Sequence, residues 1–216
     1  MKIDKNSYGT IALVYLFSIA VMTPLCIWCA PWIIIPAGLF FLAFCIWQTL
    51  FFRVPVRDKV GSDSIVTAVA DGKIVIIDKV YEKEYLKRDC IQISIYMDFW
   101  DVHANFWPVT GDVTYYRYHP GKHFLAFLPK ASEDNEHTCS NVRTAAGIDV
   151  FFKQLAGTFA RRIVCYSKDG GKTVAGEQCG IIKFGSRIDM FLPLDAAIKV
   201  ELGQQVRACE TVIAEI

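Results

Sequence analysis

Between Lys5 and Arg53 the sequence contains no charged residue, a run of 47 positions rich in Ile, Leu, Phe, Trp and Ala. Such a run has no place on the surface of a soluble domain. As one straight helix it would reach about 70 Å at ~1.5 Å per residue, more than twice the ~30 Å hydrocarbon core of a bilayer. The run therefore predicts an α-helical membrane anchor within residues 1–57 that crosses twice. The two spans are GTIALVYLFSIAVMTPLCIWC and IIIPAGLFFLAFCIWQTLFF, with a break at Cys29 to Trp32. A re-entrant hairpin dipping into one leaflet is the alternative. A cleaved secretory signal does not fit, because its apolar region spans only ~7 to 15 residues. Lys2 and Lys5 precede the run and Arg53, Arg57 and Lys59 come after it. The positive-inside tendency then keeps both ends, and the domain beyond them, on the cytoplasmic face of the cell membrane.

Other absences narrow the function. Of the eight cysteines, Cys26, Cys29 and Cys45 lie within the anchor. Cys90, Cys139, Cys165, Cys179 and Cys209 are scattered singly, without the paired spacing of structural zinc. Cys26 and Cys29 form a C-x-x-C outside any βαβ context, so reduced, mostly buried thiols are expected and no metal is implied. No G-x-S-x-G occurs, which excludes the α/β-hydrolase arrangement. No long amphipathic helix is predicted after residue 60, although Asp195 to Lys199 would make one helical turn. The net charge is +1, and no nucleic-acid partner is expected.

Beyond the anchor, residues 58–216 read as β structure. Segments such as IVTAVADGKIVIID, CIQISIYM, GDVTYYRYH, GIDVFFKQL and IDMFLP are rich in Val, Ile, Tyr and Phe and are punctuated by Gly, Asp and Asn. KASEDNEHTCSN, residues 130–141, reads as a polar loop. A weak repeat relates GGKTVAGEQCGII to LGQQVRACETVIA, with Gly-x-x-Val at Gly171 and Gly203. It looks like the half-motif of lipoyl and biotinyl domains, so the fold class expected is a mainly β domain, a flattened barrel or sandwich. No lysine occupies the hairpin position that a lipoyl or biotin carrier modifies.

In IIKFGSRIDMFLPLD, Gly185 and Ser186 interrupt an apolar β-prone run. A bend or bulge is the plain explanation. A serine after glycine has a second property: its hydroxyl can attack the preceding carbonyl carbon, where no side chain obstructs a strained approach. The amide becomes an ester, elimination splits the chain, and the dehydroalanine left at 186 hydrolyses to a pyruvoyl group. That carbonyl can take a substrate amine as a Schiff base and serve as an electron sink.

The surrounding blocks resemble the short, archaeal-type form of phosphatidylserine decarboxylase, a membrane-associated, pyruvoyl-dependent enzyme. They are FFRVPVR, ADGKIV, WDVHANFWPVTGDV, YHPGKHFLAF, KASEDNE, LAGTFARRIV and GIIKFGSRIDMFLP. The resemblance implies decarboxylation of phosphatidylserine to phosphatidylethanolamine and carbon dioxide. It also implies self-cleavage between Gly185 and Ser186, with a larger chain 1–185 and a smaller chain 186–216 staying together as a heterodimer. A higher oligomer is left open. Ser186 matches the pyruvoyl precursor, and Asp71 the acidic member of the self-processing relay, although Asp71-Gly72 also reads as a hairpin turn.

His103 in WDVH is the acid-base candidate by its near-neutral pKa. Longer relatives carry a second histidine where this chain has Phe106, so His119, His123 and His137 stay open. Arg161, Arg162 and Arg187, with His119, are candidates for binding the substrate's phosphate or carboxylate, against solvated or structural readings. Phe99, Trp100, Phe106 and Trp107 suit either a membrane interface or a core. Two other functions fit part of the sequence: a noncatalytic membrane-tethered adaptor, and a pyruvoyl decarboxylase of a soluble amino acid.

Overall fold

The uncharged run folds as two helices, α1 (Tyr8–Trp28) and α2 (Pro31–Phe51), in a computed structural model that describes residues 2–122, 135–157, 163–183 and 186–216. Helix α1 ends at Cys29, and Pro31 opens α2 at its first position, where a missing N–H costs nothing. Each helix has 21 residues, or about 31 Å at ~1.5 Å per residue, enough to cross a bilayer once. They touch through Tyr15 Oη and Thr49 Oγ1 at 3.1 Å and through Ser18 Oγ and Cys45 Sγ at 3.5 Å. Strand β1 (Lys2–Ile3) pairs with β2 (Arg53–Val54) across the base of the helix pair. Trp28 is 79% exposed, Trp32 76% and Leu13 69%. Two apolar helices with faces this open are consistent with membrane association.

Residues 1–55 and 56–216 form separate units. The second contains β3 (Ile65–Thr67), β4 (Gly72–Glu82), β5 (Arg88–Met97), β6 (Ala104–Phe106), β7 (Gly111–His119), β8 (His137–Arg143), β9 (Asp149–Ala156), β10 (Ile163–Cys165), β11 (Lys172–Thr173), β12 (Gln178–Ile182), β13 (Ser186–Leu192), β14 (Ala197–Ile198), β15 (Gln205–Val206) and β16 (Val212–Glu215). An eight-stranded curled sheet runs in the order β11-β7-β8-β9-β13-β5-β4-β15, and two three-stranded sheets run β10-β12-β6 and β14-β16-β3.

The repeat is visible in this topology. Its first copy supplies β11, an edge of the large sheet, and then β12, the centre of one small sheet; its second supplies β15, the opposite edge, and then β16, the centre of the other. Two short edges closed by equivalent segments leave little exposed ladder for unwanted pairing.

Alternation along strands gives the large sheet two unlike faces. Ile188, Met190 and Leu192 of β13 share one face with Ile93 and Ile95 of β5 and Val150 and Phe152 of β9, and these residues belong to the main core. The other face carries Phe191, Phe151, Cys139 and Cys90, with Tyr85 and Leu86 of the β4–β5 turn folded against them.

Two local expectations are corrected. Residues 137–141 are strand rather than loop: β8 lies between β7 and β9, with Thr138 Oγ1 donating to Gln154 at 2.8 Å and Asn141 Nδ2 donating to Thr114 and Asp149 at 2.7 and 2.8 Å. Asp195–Lys199 makes no helical turn, because Ala197 and Ile198 pair with β16 instead.

Candidate active site

Ser186 is the first residue of β13, the strand between β9 and β5, and it is fully buried. Its ladder partners are Ala156 and Met97. Among the described residues its hydroxyl donates to Sδ of Met97 at 3.8 Å, a weak bond for a buried serine. Gly185, the other half of the pair, lies outside the described residues, as do His123, Arg161 and Arg162.

A chain of buried polar groups leads to the same sulfur. Thr138 Oγ1 donates to Gln154 Oε1 at 2.8 Å, Gln154 Nε2 donates to Asn105 Oδ1 at 2.7 Å, and Asn105 Nδ2 donates to Met97 Sδ at 3.8 Å. Neither Asn105 nor Gln154 stands out in the sequence. The one signal there is an asparagine inside the apolar stretch of WDVHANFW, since a buried amide must be hydrogen-bonded. Asn135 completes the frame by donating to the carbonyl of Ala156 at 2.7 Å, beside Ser186.

His103 enters from the loop before β6 and is fully buried. Its Nδ1 stands 3.1 Å from the carbonyl of Asp101. A carbonyl only accepts, so in the neutral ring Nδ1 carries the hydrogen and Nε2 is the basic nitrogen. The His103 carbonyl accepts from Ile182 N–H at 3.3 Å, tying this loop to the strand that leads toward Gly185.

Asp71 lies in the bend between β3 and β4, which belong to different sheets, so Asp71-Gly72 is not a hairpin turn. Arg57 grips its carboxylate with both terminal nitrogens, Nη2 at 2.8 Å from Oδ2, and the Ala208 N–H donates to Oδ1 at 2.9 Å. Asp71 in turn raises the Arg57 pKa, chiefly through these hydrogen bonds. The segment runs beside β6, where the Phe106 N–H donates to the Val69 carbonyl at 2.8 Å. Asp71, the His103 loop and Ser186 thus come from segments bonded to one another through β4, β5, β6 and β12.

Arg187 lies beside Ser186 in the chain and across the sheet from it in space. Alternation turns it to the face opposite Ser186, where it is fully buried and bidentate to Asp189, Nε–Oδ1 2.7 Å and Nη2–Oδ2 3.0 Å. Its charge is already neutralised. His119 also faces away from Ser186, because the cross-strand row runs His119–His137–Leu155–Arg187. His119 Nε2 lies 2.6 Å from Glu84 Oε1. Burial pushes the Glu84 carboxyl up, but hydrogen bonds from Cys139, His119 and Tyr115 and the charge of Lys153 outweigh it and hold the pKa at about 2. Of the aromatic residues, Phe106 and Trp107 are buried, whereas Phe99 is 40% and Trp100 76% exposed.

The family model described as phosphatidylserine decarboxylase matches residues 42–214. A phosphatidylserine decarboxylase proenzyme of Amoebophilus asiaticus is 46% identical over 171 residues, 79% of this chain and 76% of that protein. One from Cytophaga hutchinsonii is 46% identical over 76% of this chain and 75% of its own length, and one from Parabacteroides distasonis 44% identical over 77% and 76%. With a match over most of its length and relatives this similar, the chain belongs to the phosphatidylserine decarboxylase family.

Proposed function

We propose that this protein decarboxylates phosphatidylserine to phosphatidylethanolamine with a pyruvoyl group made from its own Ser186. The observation that carries the reading is Ser186 itself: buried, at the entry of the central strand, preceded by Gly185, and with a hydroxyl held, among the described residues, by a thioether alone. A serine kept there for structure would have a stronger partner. A keto group of similar size would fit the same space.

Processing begins when Ser186 Oγ attacks the Gly185 carbonyl carbon. The C–N bond breaks, an ester forms, and the hydroxyl proton passes to the liberated amine. Loss of the residue-186 α-proton expels the Gly185 carboxylate and leaves dehydroalanine, from which water releases ammonia. His103 Nε2 suits the proton transfers. Asp71, anchored by Arg57, is the acidic member of the relay.

When formed, the pyruvoyl group supplies a carbonyl that takes the substrate amine and accepts the electron pair released with carbon dioxide. His103 Nε2 then returns a proton to the substrate Cα. Arg161 and Arg162 are the candidates for the substrate phosphate, since the Arg187 guanidinium is occupied by Asp189. Exposed Trp100 and Phe99, next to the His103 loop, suit an approach to lipid.

Strand pairing supports a lasting two-chain product. β13, β15 and β16 of the smaller chain pair with β5 and β9, β4, and β3 of the larger. The basic residues flanking the anchor support a cytoplasmic catalytic unit.

Intact-mass measurement of the purified protein tests the reading: two chains split before residue 186 are expected, the smaller lacking a free amino terminus. Ser186→Ala should abolish both splitting and carbon dioxide release from phosphatidylserine vesicles. A single intact chain in an active preparation overturns the mechanism, and preference for free serine overturns the substrate. Protease added to right-side-out cells should spare the catalytic unit.

A further inference from the structure

On the face of the large sheet turned away from Ser186, the fold gathers four side chains that nothing in the decarboxylation uses. We propose that Glu84, His119, His137 and Cys139 bind a divalent cation of borderline softness, zinc above all. One donor atom from each lies within 4.8 Å of all the others. Two imidazoles, a thiol and a carboxylate form a ligand set suited to zinc.

The site is built by strand register. His119 of β7 and His137 of β8 are direct cross-strand partners. Cys139 lies two residues further along β8 and so shares their face. Glu84 comes from the β4–β5 turn, which buried Glu82 holds in shape: its carboxylate accepts from the N–H groups of Glu84, Tyr85 and Leu86 at 2.9, 2.8 and 2.8 Å. Preorganised ligands of this kind are what a metal site requires.

The outer partners agree. His137 Nδ1 faces the Asn135 carbonyl at 2.7 Å, which leaves Nε2 as the coordinating nitrogen. A backbone carbonyl behind the ring is the usual support of a metal-bound histidine. Tyr115 Oη donates to Glu84 Oε1 at 2.8 Å. Without an ion the ligands bond to one another, Glu84 Oε1 to His119 Nε2 at 2.6 Å and Glu84 Oε2 to Cys139 Sγ at 3.1 Å. Around tetrahedral zinc, ligand atoms sit about 3.3–3.7 Å apart, so the two bonded pairs must open and any wider pair, all being within 4.8 Å, must close slightly to hold the ion.

Binding releases the thiol proton to solvent, and the His119 Nε2 proton must leave or move to Nδ1. Thiolate and Glu84 carboxylate then balance the two positive charges. Lys153 Nζ, 3.3 Å from Glu84 Oε2, must shift, and it retains Glu82 at 4.0 Å and the rings of Phe151 and Phe191 at 5.7 Å. Glu84 and His119 are partly exposed, which gives the ion a way in. An ion there would tie the β4–β5 turn to β7 and β8 without entering the reaction. No spacing motif reveals the site, because His119 and Cys139 are 35 and 55 residues from Glu84.

The full chain, purified in detergent, stripped with chelator and titrated with zinc, should bind about one ion per chain, whereas Cys139→Ser and His119→Ala should each weaken binding at least about tenfold. Cobalt in place of zinc should give a thiolate charge-transfer band that Cys139→Ser abolishes. Circular dichroism checks that each variant is folded. Absence of stoichiometric binding by the wild-type chain refutes the site. So does equal binding by the folded variants.

Discussion

Replacing Arg187 by Met should unfold the β domain more readily than any change to a surface charge. Arg187 and Asp189 have no exposed side-chain surface and share two hydrogen bonds of 2.7 and 3.0 Å. Removing the guanidinium takes both of these charge-assisted hydrogen bonds from a buried carboxylate, and breaking such a pair costs about 3–5 kcal/mol. That is roughly two to four orders of magnitude in the folding equilibrium at ~1.4 kcal/mol per tenfold. For a domain of this size the midpoint should fall by about 6–20 °C. Arg187→Met combined with Asp189→Leu removes both charges and should recover most of the loss, since an apolar pair of similar volume is often neutral. Thermal unfolding by circular dichroism, at one protein concentration, measures the three proteins. Decarboxylation kinetics on phosphatidylserine vesicles, with chain splitting checked by mass, complete the comparison. If the double variant is stable and split yet its KM rises by an order of magnitude or more, Arg187 binds substrate and its assignment to the fold is wrong.

The geometry makes three further outcomes testable. Gly72→Ala should destabilise the domain and block splitting, because φ is +150° and a Cβ would stand 2.2 Å from the Tyr96 carbonyl oxygen, beside Asp71; unchanged yield and splitting would contradict this. Gln154→Leu leaves Thr138 and Asn105 without that partner and should cost about 1–3 kcal/mol for each, with slower splitting, whereas near-isosteric Met97→Leu should cost under about 1.5 kcal/mol; equal stability losses would count against the polar chain. Alkaline extraction should leave the full chain in the membrane pellet, and release into the supernatant would show that α1 and α2 do not insert.

The helices are legible in the sequence because length and lack of charge suffice to specify them, and their boundaries differ from the expected ones by only one or two residues. The repeat is legible as a faint Gly-x-x-Val echo, although its meaning, two sheet edges each followed by a sheet centre, needs the pairing. What sequence does not supply is facing. Ser186 and Arg187 are neighbours in the chain and sit on opposite sides of a sheet; knowing that β13 starts at Ser186 separates them. Residues 137–141 resemble a loop because polar composition suggests exposure, whereas Thr138 and Asn141 answer other polar side chains across the strands. Asn105 and Gln154 meet across 49 residues, and only register brings them together.

For the pyruvoyl group proposed at residue 186, the central position of β13 would set its lifetime. Its seven residues are laced to β5 over their whole length and to β9 over six. A cofactor held by side chains can dissociate and be replaced. A carbonyl at the end of this strand leaves only if the sheet opens. A molecule whose carbonyl is spoiled by a side reaction has no spare serine to convert. On that proposal, renewal of the catalytic group would require synthesis of another chain, and the rate at which a membrane regains activity after damage would be set by translation and insertion rather than by supply of a vitamin.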